Sequence, residues 1–283
     1  PQLLATIRDA WRQASAAERP RLVAIVDWAG LATSAELLQL AARLEAEGQP
    51  ARVARPEELE YDGRTLSVAG RPIDLVYRRL TTTDVLEEPS RLTPLFEAAR
   101  DRRVVVVGSF PADVAHSKKI FAVLTHERWH DAFTSQERRL IDAHVPWTRV
   151  LAPGTTLYEG ERHDLLALAA SRRERFVLKP SARHEGHGVL LGIETAPERW
   201  AAELEERLGR DHILQEYVPP PVHRVLVPRG DHVETEARNL HVGEYMFGGR
   251  LAGWLVRVST ELVLSFSSNE LAIPCYVEAP RAG

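Results

Sequence analysis

The sequence predicts an α/β domain over residues 1–112, followed by an α+β domain over residues 113–283. Three observations support this division. A chain of 283 residues is long enough for two cores of ordinary size. In the first part, short apolar runs alternate with helical patterns, which is typical of a parallel sheet. In the second part, strand patterns around glycine turns are interspersed with helices, which is typical of an antiparallel sheet.

The first part begins with an amphipathic helix over 3–14. A capping box, Thr33 to Glu36, opens a second helix that ends before Gly48. The other elements expected here are strands at 21–27, 52–54, 73–77 and 104–107 and a helix at 91–100. Because this order favours right-handed βαβ units, we expect residues 20–110 to form a small Rossmann-like sheet.

The second part shows more helices and a different arrangement of strands. Two glycines, Gly248 and Gly249, predict a hairpin turn between two strand patterns. The expected elements are helices at 117–124, 135–143, 163–171 and 197–208 and strands at 175–180, 189–192, 212–218, 238–247 and 250–258.

Composition excludes several classes of protein. A net charge of −4 gives no reason to expect nucleic acid or an acidic membrane surface as a partner. One cysteine, Cys275, excludes an internal disulfide framework and fits the cytoplasm, where we expect the protein. No apolar run approaches the ~20 residues of a membrane span.

The chain begins at Pro1 without an initiator Met, so we expect it to be processed or excised from a longer chain. Its oligomeric state stays open.

Lysine is rare in this chain. Of 36 basic residues, only Lys118, Lys119 and Lys179 are lysines. A GC-rich coding bias explains the many arginines, but a guanidinium does not replace a compact ammonium that must fit between phosphate oxygens. The three lysines are therefore candidates for positions that require lysine. Helix register leaves open whether Lys118 or Lys119 faces a ligand.

The order of motifs around these lysines indicates a nucleotide site. Lys179 ends a strand, where it can neutralise a phosphate, and Lys118 supplies a second cation from the start of a helix. The turn that holds Gly186 and Gly188 permits close approach of its backbone to phosphate oxygens. The extended segment 215–218 offers backbone N–H and C=O groups to the edge of an adenine.

In these features the sequence resembles the ATP-grasp superfamily, and more narrowly the circularly permuted ATP-grasp proteins related to glutathionylspermidine synthase. The resemblance implies a Rossmann-like pre-ATP-grasp domain followed by an ATP-grasp domain. Lys118 and Lys179 match the two ATP lysines of the family, and Arg257 matches an arginine near the triphosphate and acyl-phosphate. The residues that match the adenine hinge are Gln215, Glu216, Tyr217 and Val218. The segments that carry the resemblance are SKKIFAVL, FVLKP, SARHEGHG, LQEYV, LVRVS and DLVYRR, so it covers most of the chain beyond residue 20.

The resemblance implies a ligase with ATP and Mg²⁺ as cofactors. ATP phosphorylates a small-molecule or peptide carboxylate, an amine attacks the acyl-phosphate, and an amide forms. The permuted family carries its metal-binding residues in a segment before the Rossmann-like domain, and the sequence does not contain that segment. Asn269-Glu270 is a local substitute, although a polar turn is the simpler interpretation. Either the segment lies upstream in a longer chain, or the module is an inactive nucleotide-binding or scaffold protein.

Two histidine motifs offer an alternative. Residues 126–130 match H-E-x-x-H, the signature of a zinc peptidase in which Glu127 would be the base. We favour coincidence, because Arg128 occupies a usually apolar position and no third ligand stands out. His184 and His187 are also possible metal ligands, although histidines in a polar turn are more often solvated.

Arg78 and Arg79 follow a predicted strand, at the end where α/β sheets bind anions. They are candidates for binding a substrate carboxylate. The other interpretation is that they pair with Asp74 or Asp84, and both stay open.

Overall fold

The computed structural model describes residues 2–30, 34–183, 186–264 and 270–276. Its internal contacts divide the chain into two units. The first unit is Pro1–Asp113 with Met246–Ala252, and the second is Val114–Tyr245 with Gly253–Gly283. Within the described residues, no helix combines the length and the apolar composition that a membrane span requires.

The first unit is built around a parallel sheet. Its elements are α1 (Gln2–Ala14), β1 (Val23–Val26), α2 (Ser34–Ala46), β2 (Ala51–Ala54), β3 (Leu59–Tyr61), β4 (Leu66–Val68), β5 (Arg71–Ile73), β6 (Leu75–Arg78), α3 (Thr82–Glu87), α4 (Thr93–Arg100) and β7 (Val105–Val107). The parallel strands have the order β2-β1-β6-β7, and β3-β4-β5 form an antiparallel meander.

Both faces of the parallel sheet are covered, so every residue of β1 is buried. Successive side chains of a strand point to opposite faces. Val23 and Ile25 therefore pack with α1 and α2, whereas Ala24 and Val26 pack with α4 and the meander. The connection passes from β1 to β2 on one side and then to β6 on the other side of β1, so the strand order reverses between β1 and β6.

The strand expected at 73–77 is confirmed from Leu75 onward but begins later than expected, because the chain changes sheets at Asp74. Ile73 ends β5 of the meander, and Leu75 begins β6 of the parallel sheet. The carboxylate of Asp74 accepts hydrogen bonds from the backbone N–H of Arg21 at 2.7 Å and from its Nη2 at 2.6 Å. These bonds hold the corner between the two strands against the start of β1.

Other boundaries in the first unit also differ. The helix expected at 91–100 begins at Thr93, because a 3₁₀ turn, Pro89–Leu92, precedes it. The sequence did not indicate α3, whose first turn is capped by the Thr81 side chain. The predicted capping box includes Thr33, which lies outside the described residues.

Among the described residues, the second unit contains two four-stranded antiparallel sheets and a small antiparallel pair of strands. The elements after β7 are α5 (Asp113–His116), α6 (Lys119–Thr125), α7 (Ser135–His144), β8 (Thr148–Val150), β9 (Thr155–Tyr158), β10 (Glu161–Asp164), α8 (Leu165–Ser171), β11 (Phe176–Pro180), β12 (Leu190–Leu191), α9 (Pro197–Arg207), β13 (His212–Glu216), β14 (Val222–Arg229), β15 (His232–Phe247), β16 (Arg250–Ser259) and β17 (Glu270–Ile273). Strand order is β12-β11-β13-β8 in one sheet and β14-β15-β16-β17 in the other, and β9 and β10 form the small pair.

The β12-β11-β13-β8 sheet has an apolar face and a polar face. Phe176, Leu178 and Leu214 point to one side and pack with α8 and α9 in a core that includes Trp200. Because side chains alternate, Lys179 and its neighbours on β13 point to the opposite side. Successive side chains of β11 therefore lie alternately in the apolar core of this unit and on its polar face.

The predicted hairpin around Gly248-Gly249 is confirmed, with longer strands than expected. The helix expected at 163–171 begins at Leu165, because Glu161–Asp164 form β10. The strand expected at 189–192 is reduced to two residues, since Gly192 begins a 3₁₀ turn. The sequence did not indicate β8, β9 or β14.

We predict that Asp74→Asn lowers the free energy of unfolding by about 1–2 kcal/mol at pH 7, because charged hydrogen bonds to Arg21 are lost. Burial raises the pKa of Asp74, but the Arg21 side-chain and backbone hydrogen bonds outweigh it, so the folded pKa lies below the ordinary value. The stabilisation is therefore present above about pH 4 and disappears as the pH falls through the lowered pKa. Urea denaturation from pH 7 down to pH 3 measures it.

The control is Asp9→Asn, which removes an exposed ion pair with Arg12. We expect this variant to change stability by less than about 0.5 kcal/mol. Equal effects of the two substitutions would contradict the assignment of Asp74 to the corner.

Candidate functional site

A cavity of about 560 Å³ opens beside the polar face of β11 and β13. Val177 of β11 is the register partner of Gln215, so Lys179 and Gln215 are diagonal neighbours on one face. The Nζ of Lys179 donates a hydrogen bond to Oε1 of Gln215 at 2.7 Å. Both side chains line the cavity, together with Arg257 and residues 216–218.

Lys118 lies just before α6 and is close to the end of β11. Its backbone N–H donates to the carbonyl of Ser181 at 2.9 Å, and its Nζ donates to the carbonyl of Arg183. Lys119 instead forms an ion pair with Asp211 at 2.5 Å. Lys119 is therefore held by Asp211, and Lys118 is the lysine whose charge acts on Lys179.

The two lysines affect each other's charge. Burial lowers the pKa of Lys179, and the positive charge of Lys118 lowers it further. Burial also lowers the pKa of Lys118. Lys118 lines a second cavity of about 300 Å³, and Val189 lies in the walls of both cavities. Two ammonium groups in partly buried surroundings favour an anion between them, because the anion restores the charged form of each.

The predicted glycine turn follows Lys179. Gly186 and Gly188 have φ values of +73° and +72°, in the left-handed region that favours glycine. A Cβ at Gly188 would lie 2.8 Å from Cγ of Pro180, and a Cβ at Gly186 would lie 2.7 Å from the carbonyl oxygen of Leu264. The turn therefore requires both glycines for backbone conformation and for packing.

The predicted hinge offers backbone groups and not the Glu216 side chain. The carboxylate of Glu216 accepts from the Tyr158 hydroxyl at 3.0 Å and from Arg175 at 2.7 Å. Burial and the Glu216 charge raise the pKa of Tyr158 to about 12, so this hydroxyl stays a donor. The N–H groups of Glu216 and Tyr217 already donate to backbone carbonyls. Among the described residues, no backbone acceptor takes the N–H of Val218.

Arg257 and His241 lie in the opposite part of the cavity wall. The Nη1 of Arg257 donates to Oε1 of Glu270 at 3.2 Å. The Nε2 of His241 is buried and has no hydrogen-bond partner within the described ranges. Burial and the charge of Arg257 lower the pKa of His241, while Glu270 acts in the opposite direction. The sequence did not indicate His241 as a site residue, because an isolated histidine in a strand matches no motif.

In the part of the chain that the structure describes, no three His, Cys, Asp or Glu side chains form a metal-binding group. Asn269 and His184 lie outside that part, and His187 lines the smaller cavity. The Oε2 of Glu270 is buried without a hydrogen-bond partner among the described residues. Because Mg²⁺ takes few protein ligands when it binds phosphates, Glu270 fits a shared ligand better than a metal centre built by protein alone.

The geometry does not favour the zinc-peptidase alternative. Residues Glu127–Ala132 form a 3₁₀ helix, and His126 lies before it, where its Nδ1 accepts from the N–H of Arg128. The carboxylate of Glu127 accepts from Arg149, a nearly buried arginine, at 3.1 Å. His126 and His130 therefore do not share one face of an α-helix, and the proposed base is held in an ion pair.

Arg78 binds carbonyl groups of its own unit. Its Nε donates to the carbonyl of Gly108, its Nη1 donates to the carbonyl of Leu80 at 2.6 Å, and its guanidinium lies over the ring of Phe110. These contacts hold the loop after β7. The carboxylate of Asp74, one of the two alternative partners of Arg78 and Arg79, binds Arg21 instead.

Arg79 lies at the strand-order reversal, next to the end of β1. Its N–H donates to the carbonyl of Val26, and its Nε is buried without a hydrogen-bond partner among the described residues. Asp27 follows β1 beside it, and burial raises the pKa of that carboxyl. No ion pair between Arg79 and Asp84 forms in the described ranges. Arg79 thus keeps an available donor at the sheet edge where open α/β sheets bind ligands.

The sequence matches no protein-family model and no curated protein. Among solved structures, the chain is similar to the D-cycloserine synthetase DcsG, with 19% identity over 90% of this chain and 75% of that one, at a TM-score of 0.48. It is also similar to D-alanyl-alanine synthetase A from Vibrio cholerae O1 biovar eltor str. N16961, with 15% identity over 81% and 69% of the chains and a TM-score of 0.41. A third is the macrocyclase MdnC, bound with precursor peptide MdnA, from Microcystis aeruginosa MRC, with 14% identity over 86% and 88% and a TM-score of 0.41.

We predict that Gly188→Ala destabilises the protein more than Gly249→Ala. Both positions have positive φ, which costs alanine about 1–2 kcal/mol. Only at Gly188 does the added Cβ also meet another residue, Pro180, whereas it has open space at Gly249. We expect about 1 kcal/mol of additional destabilisation from this overlap, measured by chemical denaturation. Equal losses in the two variants would contradict the close packing of the turn.

Proposed function

We propose that this protein is an ATP-dependent carboxylate–amine ligase of the ATP-grasp type. The observation that carries the proposal is that Lys179 lines a cavity together with the hinge segment 215–218, while Lys118, whose charge lowers the pKa of Lys179, lines a second cavity that shares Val189 with the first. The lysines come from a helix start and a strand end that are far apart in the sequence. Their proximity is therefore a property of the folded unit.

The dimensions and chemistry of the cavity support a bound nucleotide. A volume of about 560 Å³ lies in the usual range for small-molecule sites. The adenine would pair with backbone groups at the hinge, where no backbone acceptor from the described ranges takes the N–H of Val218. Lys179 and Lys118 would neutralise the phosphates, and the backbone at Gly186 and Gly188 would line their path.

Mg²⁺ would lower the charge of the triphosphate when bound, with Glu270 supplying one carboxylate oxygen. The transferred phosphoryl group passes from ATP to the substrate carboxylate and leaves ADP. The amine then attacks the acyl carbon, phosphate departs, and the amine loses a proton as the amide forms. Arg257, in the cavity wall, would stabilise the negative charge of the acyl-phosphate and is the candidate catalytic residue.

The remaining parts of the proposal concern substrates and location. Arg78 and Arg79 stay candidate substrate-binding residues of the first unit, and the free donor of Arg79 supports this role better than the carbonyl-bound Arg78. The substrates would be a small-molecule or peptide carboxylate and an amine. Composition supports a cytoplasmic protein without nucleic-acid or membrane partners.

We predict that Lys179→Ala raises the Kd for Mg-ATP at least ~10-fold, because a desolvated cation at the phosphates is lost. Lys119→Ala is the matched control: it removes the same charge from a lysine that is paired with Asp211. We expect the control to bind within about twofold of the wild type. Isothermal titration calorimetry measures both, and an unchanged Kd for Lys179→Ala would refute the site.

A second candidate function is nucleotide binding without turnover. The observation that favours it is that Arg257 and Glu270, the candidate catalytic residue and the candidate magnesium ligand, are hydrogen-bonded to each other. ATP would then regulate or stabilise the protein without being consumed.

Phosphate release separates the two candidates. We predict that ligation releases phosphate only when a carboxylate and an amine substrate are both present, at one phosphate per amide formed. The assay uses the full-length chain with Mg-ATP and a panel of acid and amine pairs, with Lys179→Ala as the background. Tight ATP binding with no pair-dependent phosphate release across the panel would favour the non-catalytic candidate.

A further inference from the structure

We propose that Thr148 is a positioning residue that holds the ammonium of Lys179 in place through the side chain of Gln215. The proposal rests on the proposed function only for its predicted effect on ATP binding. The relay itself lies entirely in the second unit and consists of four groups joined by three hydrogen bonds.

The relay has one consistent direction. The Thr148 hydroxyl donates its single proton to the carbonyl of Pro146 at 2.8 Å, so its oxygen is free to accept. It accepts from Nε2 of Gln215 at 2.9 Å. The amide oxygen Oε1 is thereby turned away from Thr148 and accepts from Nζ of Lys179 at 2.7 Å.

The opposite amide orientation is unfavourable at both ends. If the amide rotated by half a turn, Nε2 would face the ammonium of Lys179, and two donors would meet. Oε1 would then face the lone pairs of a Thr148 hydroxyl that already donates to Pro146. Thr148 therefore selects the one orientation of Gln215 that accepts from the lysine.

Strand register makes the relay possible. Thr148 of β8 is the register partner of Gln215, which in turn is the partner of Val177. Lys179 is two residues beyond Val177, and all these side chains point to one face of the sheet. Thr148 is completely buried and Gln215 is nearly so, hence water does not compete for their hydrogen bonds. Thr148 is not among the cavity-lining residues and acts through Gln215.

The same threonine fastens the helix that follows Lys118. The N–H of Thr148 donates to Oγ1 of Thr125, the last residue of α6, at 3.0 Å. The buried Arg149 donates to the carbonyls of Thr148 and Thr125 at 2.8 and 3.2 Å. The helix that follows Lys118 and the amide that binds Lys179 are therefore both held by β8. The sequence did not indicate β8 as a strand.

This geometry adds a role for Gln215. The hinge prediction concerned its backbone groups, and its side chain binds Lys179. The relay also opposes the effect of burial on the lysine, because a hydrogen bond to the charged form favours that form. Removal of the threonine hydroxyl would leave the buried amide donor of Gln215 without its acceptor.

Lysine NMR tests the relay directly. Because the chain has only three lysines, protein labelled with [¹³Cε]lysine carries three lysine signals, which single Lys→Arg variants assign. In Thr148→Val, which removes the hydroxyl at nearly constant volume, we expect the pKa of Lys179 to fall below that of the wild type while Lys118 is unchanged. We also expect the Kd for Mg-ATP to rise ~2–10-fold, as for loss of one hydrogen bond. Thr148→Ser should restore both values.

Two further variants keep the test decisive. Gln215→Glu replaces the neutral acceptor with a carboxylate, so it should raise the pKa of Lys179, opposite in sign to Thr148→Val. Thr195→Val removes another buried hydroxyl, which donates to the carbonyl of Leu191, and should lower stability without moving the pKa of Lys179. If Thr148→Val fails to fold, Thr148→Ala, which also removes the hydroxyl, carries the same test with the same sign.

An unchanged Lys179 titration in a folded Thr148→Val or Gln215→Glu variant would overturn the relay. An equal shift in Thr195→Val would overturn it as well, since the effect would then be a general consequence of destabilisation. A wild-type protein that does not bind Mg-ATP would refute the proposed function alone, because the lysine titrations do not require a nucleotide.

Discussion

Two ammonium groups held near each other in partly buried surroundings are the constraint on which the second unit depends. Each lysine is less basic than it would be in water, and the charge of Lys118 opposes that of Lys179. Hydrogen bonds to the carbonyl of Arg183 and to Gln215 hold the charged forms in place. A polyanion would relieve the repulsion that these bonds only moderate, and for this reason we propose that the two lysines bind phosphates.

The sheet supports this arrangement because one of its faces is apolar and the other is polar. Phe176 and Leu178 bury one face of β11 against the helices, which anchors the strand through apolar contact. Lys179 therefore lies on the other face, diagonal to Gln215 and next to the cavity. The buried Arg149, bound to backbone carbonyls of two elements, joins the α6 helix to the same sheet.

Much of the outline could be predicted from local patterns. The lysines, the glycine turn and the Gly248-Gly249 hairpin carry signals of residue type, and the helices expected at 3–14 and 197–208 agree with α1 and α9. Long-range contacts decided what the local patterns left open or placed too early. A hydrogen bond from Arg21 holds the corner that moves the start of the strand expected at 73–77 to Leu75, an ion pair with Arg149 binds Glu127, and the carbonyl of Gly108 binds Arg78. None of these partners is near in sequence, so no local pattern reveals them.

The sequence by itself determined which groups are available: the three lysines, the glycines, and an extended segment before Pro219. Periodicity and residue type suffice for these features, because they are properties of a few neighbouring residues. Only the tertiary structure decided how the groups are used. It directed Lys118 and not Lys119 toward the second lysine, turned the Glu216 carboxylate toward Tyr158, and joined Thr148 to Lys179. The physical reason is strand register, which brings distant residues to one face and is set by the whole sheet.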